Sequence, residues 1–202
     1  MSNQSLAQEL FAQLQGAPLQ QVSQQLGIGQ AEASGAIGAA LPLLMGALGR
    51  NAEQPQGAEA LFGALQRNHS GLDIGSVLGS VLGGASTPEA NGAGILGHIF
   101  GGNQPRAEAG LGQATGLDSN RAGQLLKILA PIVLAFLAQR MSQSGRNSPG
   151  ELSQVLGQEQ QQIRQQSGPG GLLGAVLDQD GDGQLGLGDL LKVGSGFLGG
   201  GR

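Results

Sequence analysis

The stretch GIGQAEASGAIGAALPLLMGAL, residues 27–48, decides the fold, because the chain repeats it as GLDSNRAGQLLKILAPIVLAFL at residues 116–137. Without a gap, Gly27 aligns with Gly116 and Pro42 aligns with Pro131. Each copy has a glycine suited to end one helix, a polar first turn, and a long segment that is apolar on nearly every helical face. Such helices must be covered by others, so the repeat predicts two central helices in an all-α core.

The composition also predicts an all-α fold with closely packed helices. The 202 residues include 39 Gly, five Phe and no Trp or Tyr, so the core must come from Leu, Ala, Val and Ile. Pro18, Pro88 and Pro149 stand where first helical turns would begin, and Thr87 and Ser148 are suitable N-caps. No run shows the period-2 alternation of a half-buried strand.

The net charge, the first residues and the length of the apolar runs indicate which partners and which cellular location to expect. A net charge of −4 and a pI near 5.0 argue against nucleic acid as a partner. The first residues, MSNQSLAQELFAQLQG, lack the basic and apolar regions of a secretory signal, so we expect a cytoplasmic protein. The apolar runs Ala36–Leu48 and Leu125–Ala138 fall short of the ~20 residues of a spanning helix, and we expect no membrane span.

The stretch DQDGDGQLGLGD, residues 178–189, has the spacing of an EF-hand calcium loop. Ligand oxygens of such a loop come from positions 1, 3, 5, 7 and 12, with glycine at position 6 for the turn. Gly183 stands at position 6 and Leu185 at the apolar position 8. The predicted metal ligands are Asp178, Asp180, Asp182, the backbone carbonyl of Gln184, and Asp189.

Two features of the loop predict weak binding. Position 12 is Asp189 instead of glutamate, which hinders bidentate coordination of Ca²⁺ and makes Mg²⁺ more competitive, and position 9 is Gly186. The alternative is a polar turn without metal. Against it, four uncompensated carboxylates repel each other, and the repeat counterpart of the loop, GGASTPEANGAG at residues 83–94, has no acid at the four corresponding positions.

Composition divides the chain into three parts. Residues 1–142 form a predicted helical domain, and residues 143–170, rich in Gln, Ser, Gly and Pro, form a predicted linker. Residues 171–202 form a predicted EF-hand-like helix-loop-helix, with apolar residues at helical spacing on both sides of the loop.

Two weaker patterns suggest other partners. The second repeat copy resembles a helix-turn-helix in which Asn120, Arg121 and Gln124 would face nucleic acid, although a tight helical hairpin in a core has the same pattern. Glycines at every fourth position, Gly75, Gly79 and Gly83, permit close helix contact either inside the protein or in self-association. The chain has no Cys, no Walker A lysine, no G-x-S-x-G and no H-E-x-x-H, so we predict no enzymatic activity.

The segments VSQQLGIGQAEASGAIGAALPLLMGAL, GAGILGHIFGG and QATGLDSNRAGQLLKILAPIVLAFLA together resemble the bacterial "domain of unknown function 937" family, which includes the YidB-like proteins. The resemblance covers roughly residues 5 to 142 and implies an all-helical fold with a homeodomain-like arrangement, but no reaction. Some members end in a D-x-D-G-D-G segment, as residues 178–183 do. We therefore predict a non-enzymatic bacterial protein that binds Ca²⁺, with an unidentified protein partner or self-association.

Overall fold

The computed structural model describes residues 5–69, 74–84, 91–145 and 148–167, and within these residues the chain forms helices and no strands. The predicted all-α class is confirmed. The α-helices of these ranges are α1 (Leu6–Gln13), α2 (Ala17–Leu26), α3 (Gln30–Ala52), α4 (Pro55–Ala64), α5 (Ile74–Leu82), α6 (Gly92–Phe100), α7 (Gln104–Thr115), α8 (Ser119–Gln143) and α9 (Pro149–Ser167). A π-helical turn, Leu65–His69, follows α4, and a 3-10 turn, Gly101–Asn103, follows α6.

The repeat seen in the sequence is present in the fold. Helices α2 and α3 in the first copy correspond to α7 and α8 in the second. The joining glycines, Gly27 and Gly116, both adopt the left-handed conformation, with φ of 64° and 78°. Because a side chain with a Cβ is strained at these angles, glycine ends the short helix and turns the chain into the long one.

The structure extends the repeat beyond the aligned stretches. Each long helix is preceded by two short ones, α1 and α2 in the first copy and α6 and α7 in the second. The offset that aligns Gly27 with Gly116 also aligns Phe11 with Phe100. A proline then starts the helix after each long helix, Pro55 in α4 and Pro149 in α9. Among the described helices, α1 to α4 therefore recur in the same order as α6 to α9, with α5 between the two sets.

The starts of several helices follow from local sequence. Ser148 Oγ accepts a hydrogen bond from the Glu151 N–H at 3.3 Å, as an N-cap does, and it also donates to the Glu151 carboxylate at 2.9 Å. Pro18 lies in the first turn of α2, as predicted. The predicted cap Thr87 and the adjoining Pro88 lie outside the described residues.

Helix α8 is the centre of the core. It contacts α2, α3, α5, α6, α7 and the π-helical turn. Every residue from Ile128 to Ala138 is buried. The second long helix, α3, is packed against it but is less completely covered. Together these two helices are the predicted central pair.

Helix α9 lies in the segment 143–170, which its composition predicts to be a linker. Its Leu152 and Leu156 are fully buried in the core, and the compact unit that contains them runs to Ile163. The helical domain therefore extends beyond the predicted boundary at residue 142. A Gln-rich composition hides this, because only a few apolar residues at spacings of three and four are needed to dock a helix.

The second compact unit spans Arg164–Arg202. Within it, only residues 164–167, the end of α9, are described. The predicted EF-hand-like segment 171–202 thus lies outside the described residues.

Two of the helices are long and apolar enough to cross a membrane. They are α3 and α8, with mean hydropathies of 1.4 and 1.6 over their most apolar windows. Of these windows, 50% and 83% are buried inside the protein, and the core helix of a globular protein has the same composition. The expected absence of a membrane span stays a prediction.

Helix α6 approaches the backbone of α8 at Gly92. Pro131 has no N–H, so the Lys127 carbonyl four residues earlier has no partner within the helix. Gly92 packs on this carbonyl so closely that a Cβ would overlap its oxygen and lie 2.7 Å from its carbon. Glycine is required here because backbone lies against backbone.

Replacing Gly92 by alanine is expected to lower the free energy of unfolding by about 2 kcal/mol or more, since α6 must move away from α8 to admit the methyl group. The matched control is Gly97→Ala in the same helix, where a Cβ meets nothing within 4 Å. That variant should be stabilised by up to about 1 kcal/mol through helix propensity. Urea unfolding of both variants measures the difference, and equal stability of the two would contradict the close contact.

Candidate functional sites

The predicted calcium ligands cannot be placed on the fold. Asp178, Asp180, Asp182, Gln184 and Asp189 all lie outside the described residues. Among the residues that are described, no group of three or more His, Asp or Glu side chains is arranged to hold a metal ion. The metal site therefore stays a prediction from the sequence.

The residues predicted to face nucleic acid lie together at the start of α8. Asn120, Arg121 and Gln124 are all exposed, and Lys127 continues the same face one turn further on. Their spacing of one, four and seven residues puts them on one side of the helix. The left-handed turn at Gly116 precedes them, so the hairpin of α7 and α8 presents this polar face to solvent.

Acidic groups reduce the positive charge of this face. Asp118 caps α8 by accepting the Arg121 N–H at 3.0 Å, and its other oxygen lies 3.5 Å from Arg121 Nε. The Glu108 carboxylate of α7 packs on the same helix, where a Cβ added to Gly123 would lie 3.0 Å from it. Lys127 forms no ion pair among the described residues. The face is therefore polar, with a small net charge.

The equivalent face of the first copy has a different character. In α3 the positions of Arg121 and Gln124 are taken by Glu32 and Gly35, both exposed. Further along α3, Ala39 and Leu43 are half-buried, whereas the residues at the same positions of α8 are buried. The two copies thus share a backbone arrangement and differ in what their long helices present to solvent.

A buried carboxylate joins the two ends of the helical domain. Glu159 of α9 is 3% exposed, and its two oxygens accept the N–H groups of Leu6 at 2.7 Å and Ala7 at 3.0 Å. Ser5 Oγ accepts the N–H of Gln8 at 3.2 Å, and the Ser5 carbonyl accepts the N–H of Glu9 at 2.9 Å. The bond from Glu9 is the first of the helix itself, and the three N–H groups before it in α1, which have no intrahelical partners, are all satisfied.

The Glu159 site is absent from the first copy of the repeat. Aligning Pro55 with Pro149 places Leu65, which is also buried, at the position of Glu159. A carboxylate fits in place of leucine because the amino terminus of α1 supplies donors and a partial positive charge. The sequence gives no signal for this contact, since a glutamate in a Gln-rich helix is typical of an exposed position.

Two further side chains fasten α9 to α3. Ser153 Oγ donates to the Ala52 carbonyl at 2.8 Å, and Gln160 Nε2 donates to the Gly46 carbonyl at 3.2 Å. Gly49 allows this approach, because a Cβ there would lie 3.2 Å from the Gln160 side chain. The last helix of the domain is therefore held by polar contacts along its length as well as by its buried leucines.

Within the described part of the chain, His98 belongs to no group of three or more metal-ligating side chains. It is exposed near the end of α6, and its backbone carbonyl accepts a hydrogen bond from Asn51 Nδ2 at 3.0 Å. The Gly-His-apolar-Phe-Gly segment owes its pattern to packing. Leu96 and Phe100 of α6 point into the core.

The described residues form an all-helical domain in which a four-helix arrangement occurs twice around two proline-containing helices. The chain belongs to the family described as bacterial protein of unknown function (DUF937), whose model matches residues 8–140. This confirms the family resemblance. No curated protein and no solved structure matches the chain significantly, so the homeodomain-like arrangement stays a prediction.

Substituting Glu159 tests whether its carboxylate holds α1. Glu159→Leu, which copies the first repeat, should lower the free energy of unfolding by about 2 kcal/mol, because two buried N–H groups lose their acceptor. Glu159→Gln keeps one acceptor oxygen and should cost about half as much. The control Gln158→Leu alters the exposed neighbour and should be nearly neutral. Chemical unfolding measures all three, and a neutral Glu159→Leu would refute the assignment.

Proposed function

We propose that this chain is a non-enzymatic bacterial protein that binds Ca²⁺ through residues 178–189 of its C-terminal segment. The observation that carries the proposal is the placement of aspartate at positions 1, 3, 5 and 12 of a loop with Gly183 at position 6. The ligands would be Asp178, Asp180, Asp182, the carbonyl of Gln184, and Asp189. Family membership supports the bacterial, all-helical part of the proposal and assigns no role.

The repeat in the sequence supports reading the acids as an addition. The loop has a counterpart at residues 83–94, where Gly83, Ala85, Thr87 and Gly94 take the positions of the four aspartates. That counterpart ends in α6, which begins at Gly92. This segment joins α5 to α6 without acids at those four positions, so a divalent cation is what would give the four aspartates a function.

The chemistry of binding is electrostatic. The four carboxylates repel one another, and a divalent cation both removes this repulsion and replaces it by attraction. Ion binding then adds its free energy to the stability of whatever structure holds the ligands in place. The ion would either stabilise the C-terminal segment or order a surface for an unidentified protein partner.

Calorimetric titration of the full chain tests the proposal. We expect a dissociation constant for Ca²⁺ on the order of 10⁻⁵ to 10⁻³ M, and competition by Mg²⁺, because position 12 is aspartate. Asp178→Asn and Asp182→Asn should each weaken binding about tenfold or more, since each removes a charged ligand without changing its size. Glu53→Gln removes an exposed carboxylate from the end of α3 and should leave the affinity unchanged.

The same titration of Asp189→Glu examines the weak ligand directly. The longer side chain reaches the ion in a bidentate way, so Ca²⁺ should bind more tightly and Mg²⁺ should compete less. No heat and no change in circular dichroism at several millimolar Ca²⁺ would overturn the proposal. Loop variants that bind as the wild type does would locate the ion elsewhere.

A second candidate function is nucleic-acid binding through the start of α8. The exposed face of Asn120, Arg121 and Gln124 after the Gly116 turn favours it, while the net charge of −4 opposes it. If it holds, fluorescence anisotropy with duplex DNA should show an affinity that falls steeply with salt and is weakened by Arg121→Ala. Arg67→Ala, which removes an exposed charge elsewhere, is the control. Absence of binding at low salt would exclude this function.

A further inference from the structure

Two helices from opposite ends of the domain cover successive parts of α3. A Cβ added to Gly38 of α3 would lie 3.8 Å from the Phe11 ring of α1. Further along α3, the carbonyls of Gly46 and Ala52 accept hydrogen bonds from side chains of α9. Among the described helices α1 comes first and α9 last, so both can leave α3 without displacing any helix between them. We call these two helices the terminal clasp.

The Glu159 carboxylate makes each helix of the clasp depend on the other. It is 3% exposed, and its hydrogen bonds to the N–H groups of Leu6 and Ala7 reach from α9 to α1. If α1 alone moved away, the carboxylate would stay buried without these two donors, which is costly. If α9 alone moved away, the two N–H groups would lose their acceptor. The opening that leaves no buried polar group unpaired therefore releases both helices together.

Helix α9 is weaker than its length suggests. Gly150 and Gly157 lie within it, and a Cβ added at either position would meet nothing within 4 Å, so packing does not require glycine there. Glycine lowers the stability of a helix relative to alanine. In α8, by contrast, every residue from Ile128 to Ala138 is buried. The clasp is therefore the part of the domain in which local opening is least costly.

We propose that α1 and α9 open and close as one unit while the helices from α2 to α8 stay folded. The Glu159 contact is the link that makes the two helices move together. Because α3 is apolar on nearly every face, the open form presents an apolar surface between Gly38 and Ala52 that the closed form hides. The fold thus contains a removable cover over one of its two central helices. No residue of the proposed calcium loop takes part in this movement.

Native-state hydrogen exchange of the full chain tests the clasp, and EDTA in the buffer keeps the result independent of calcium. We expect the best-protected amides of α1 and α9 to share one protection factor, lower than that of α8 between Ile128 and Ala138. Equal protection of α1, α9 and α8 would overturn the proposal, because the clasp would then open only when the whole domain unfolds. Different protection factors for α1 and α9 would overturn it as well.

A pair of glycine substitutions tests the coupling without disturbing the core. Gly157→Ala strengthens α9 alone, so it should slow exchange in α9 and also in α1, about fivefold in each. The matched control is Gly97→Ala in α6, where a Cβ also meets nothing within 4 Å. It should leave exchange in α1 and α9 unchanged. A Gly157→Ala effect confined to α9, or slower exchange of α1 in Gly97→Ala, would contradict the clasp.

Removing the carboxylate tests whether Glu159 is the link. In a Glu159→Leu background, Gly157→Ala should slow exchange only in α9, because α1 can then open without leaving a buried carboxylate unpaired. In the control background Gln158→Leu, which alters an exposed neighbour, Gly157→Ala should still slow both helices. If both helices are slowed in the Glu159→Leu background too, something other than Glu159 joins them and the proposal is overturned.

Discussion

The whole structure depends on covering two helices that are apolar on nearly every side. A single helix of this kind would expose apolar side chains to water on every face. Packing α3 against α8 alone would still leave most of the surface of both helices exposed. The remaining short helices supply the cover, and their amphipathic faces make sense only in contact with the long pair. The glycines serve this arrangement, because small residues allow helices to approach closely where few aromatic side chains fill the space.

The prolines inside the long helices add a second constraint. Each leaves one carbonyl without a helical partner, and in α8 that carbonyl belongs to Lys127. Gly92 packs directly on it, so the defect in one helix becomes the contact point for another. A buried polar group also fixes the first helix, through the Glu159 carboxylate and the N–H groups at the start of α1. In both places backbone groups that the helices cannot satisfy themselves determine which elements meet.

Duplication explains why the two halves of the fold differ in their surfaces. The long helix of the second copy is buried along its centre and carries polar residues at its exposed start. The long helix of the first copy has half-buried apolar residues, such as Ala39 and Leu43, between the exposed Glu32 and Arg50. Leu65 and Glu159 show the same divergence inside the protein, one packing by apolar contact and the other by hydrogen bonds. The two copies share a backbone arrangement, and different side chains at equivalent positions give each copy its own contacts.

The sequence by itself determined the all-α class, the repeat, the central pair of helices and the positions where helices end. These follow from local causes: apolar periodicity, left-handed glycines such as Gly27 and Gly116, and capping residues such as Ser148. The loop at residues 178–189 is also a local pattern, because the spacing of its predicted ligands is given by the sequence.

Only the tertiary structure decided where the domain ends, why Gly92 cannot carry a side chain, and that Glu159 is buried. Helix α9 looks like a linker by composition, and its place in the core becomes visible only when Leu152 and Leu156 contact residues far away in sequence. The partial exposure of Ala39 and Leu43 in α3, whose counterparts in α8 are buried, has the same origin. Two similar helices differ in coverage because of what packs against them, and that depends on the arrangement of the whole chain rather than on the residues of either helix.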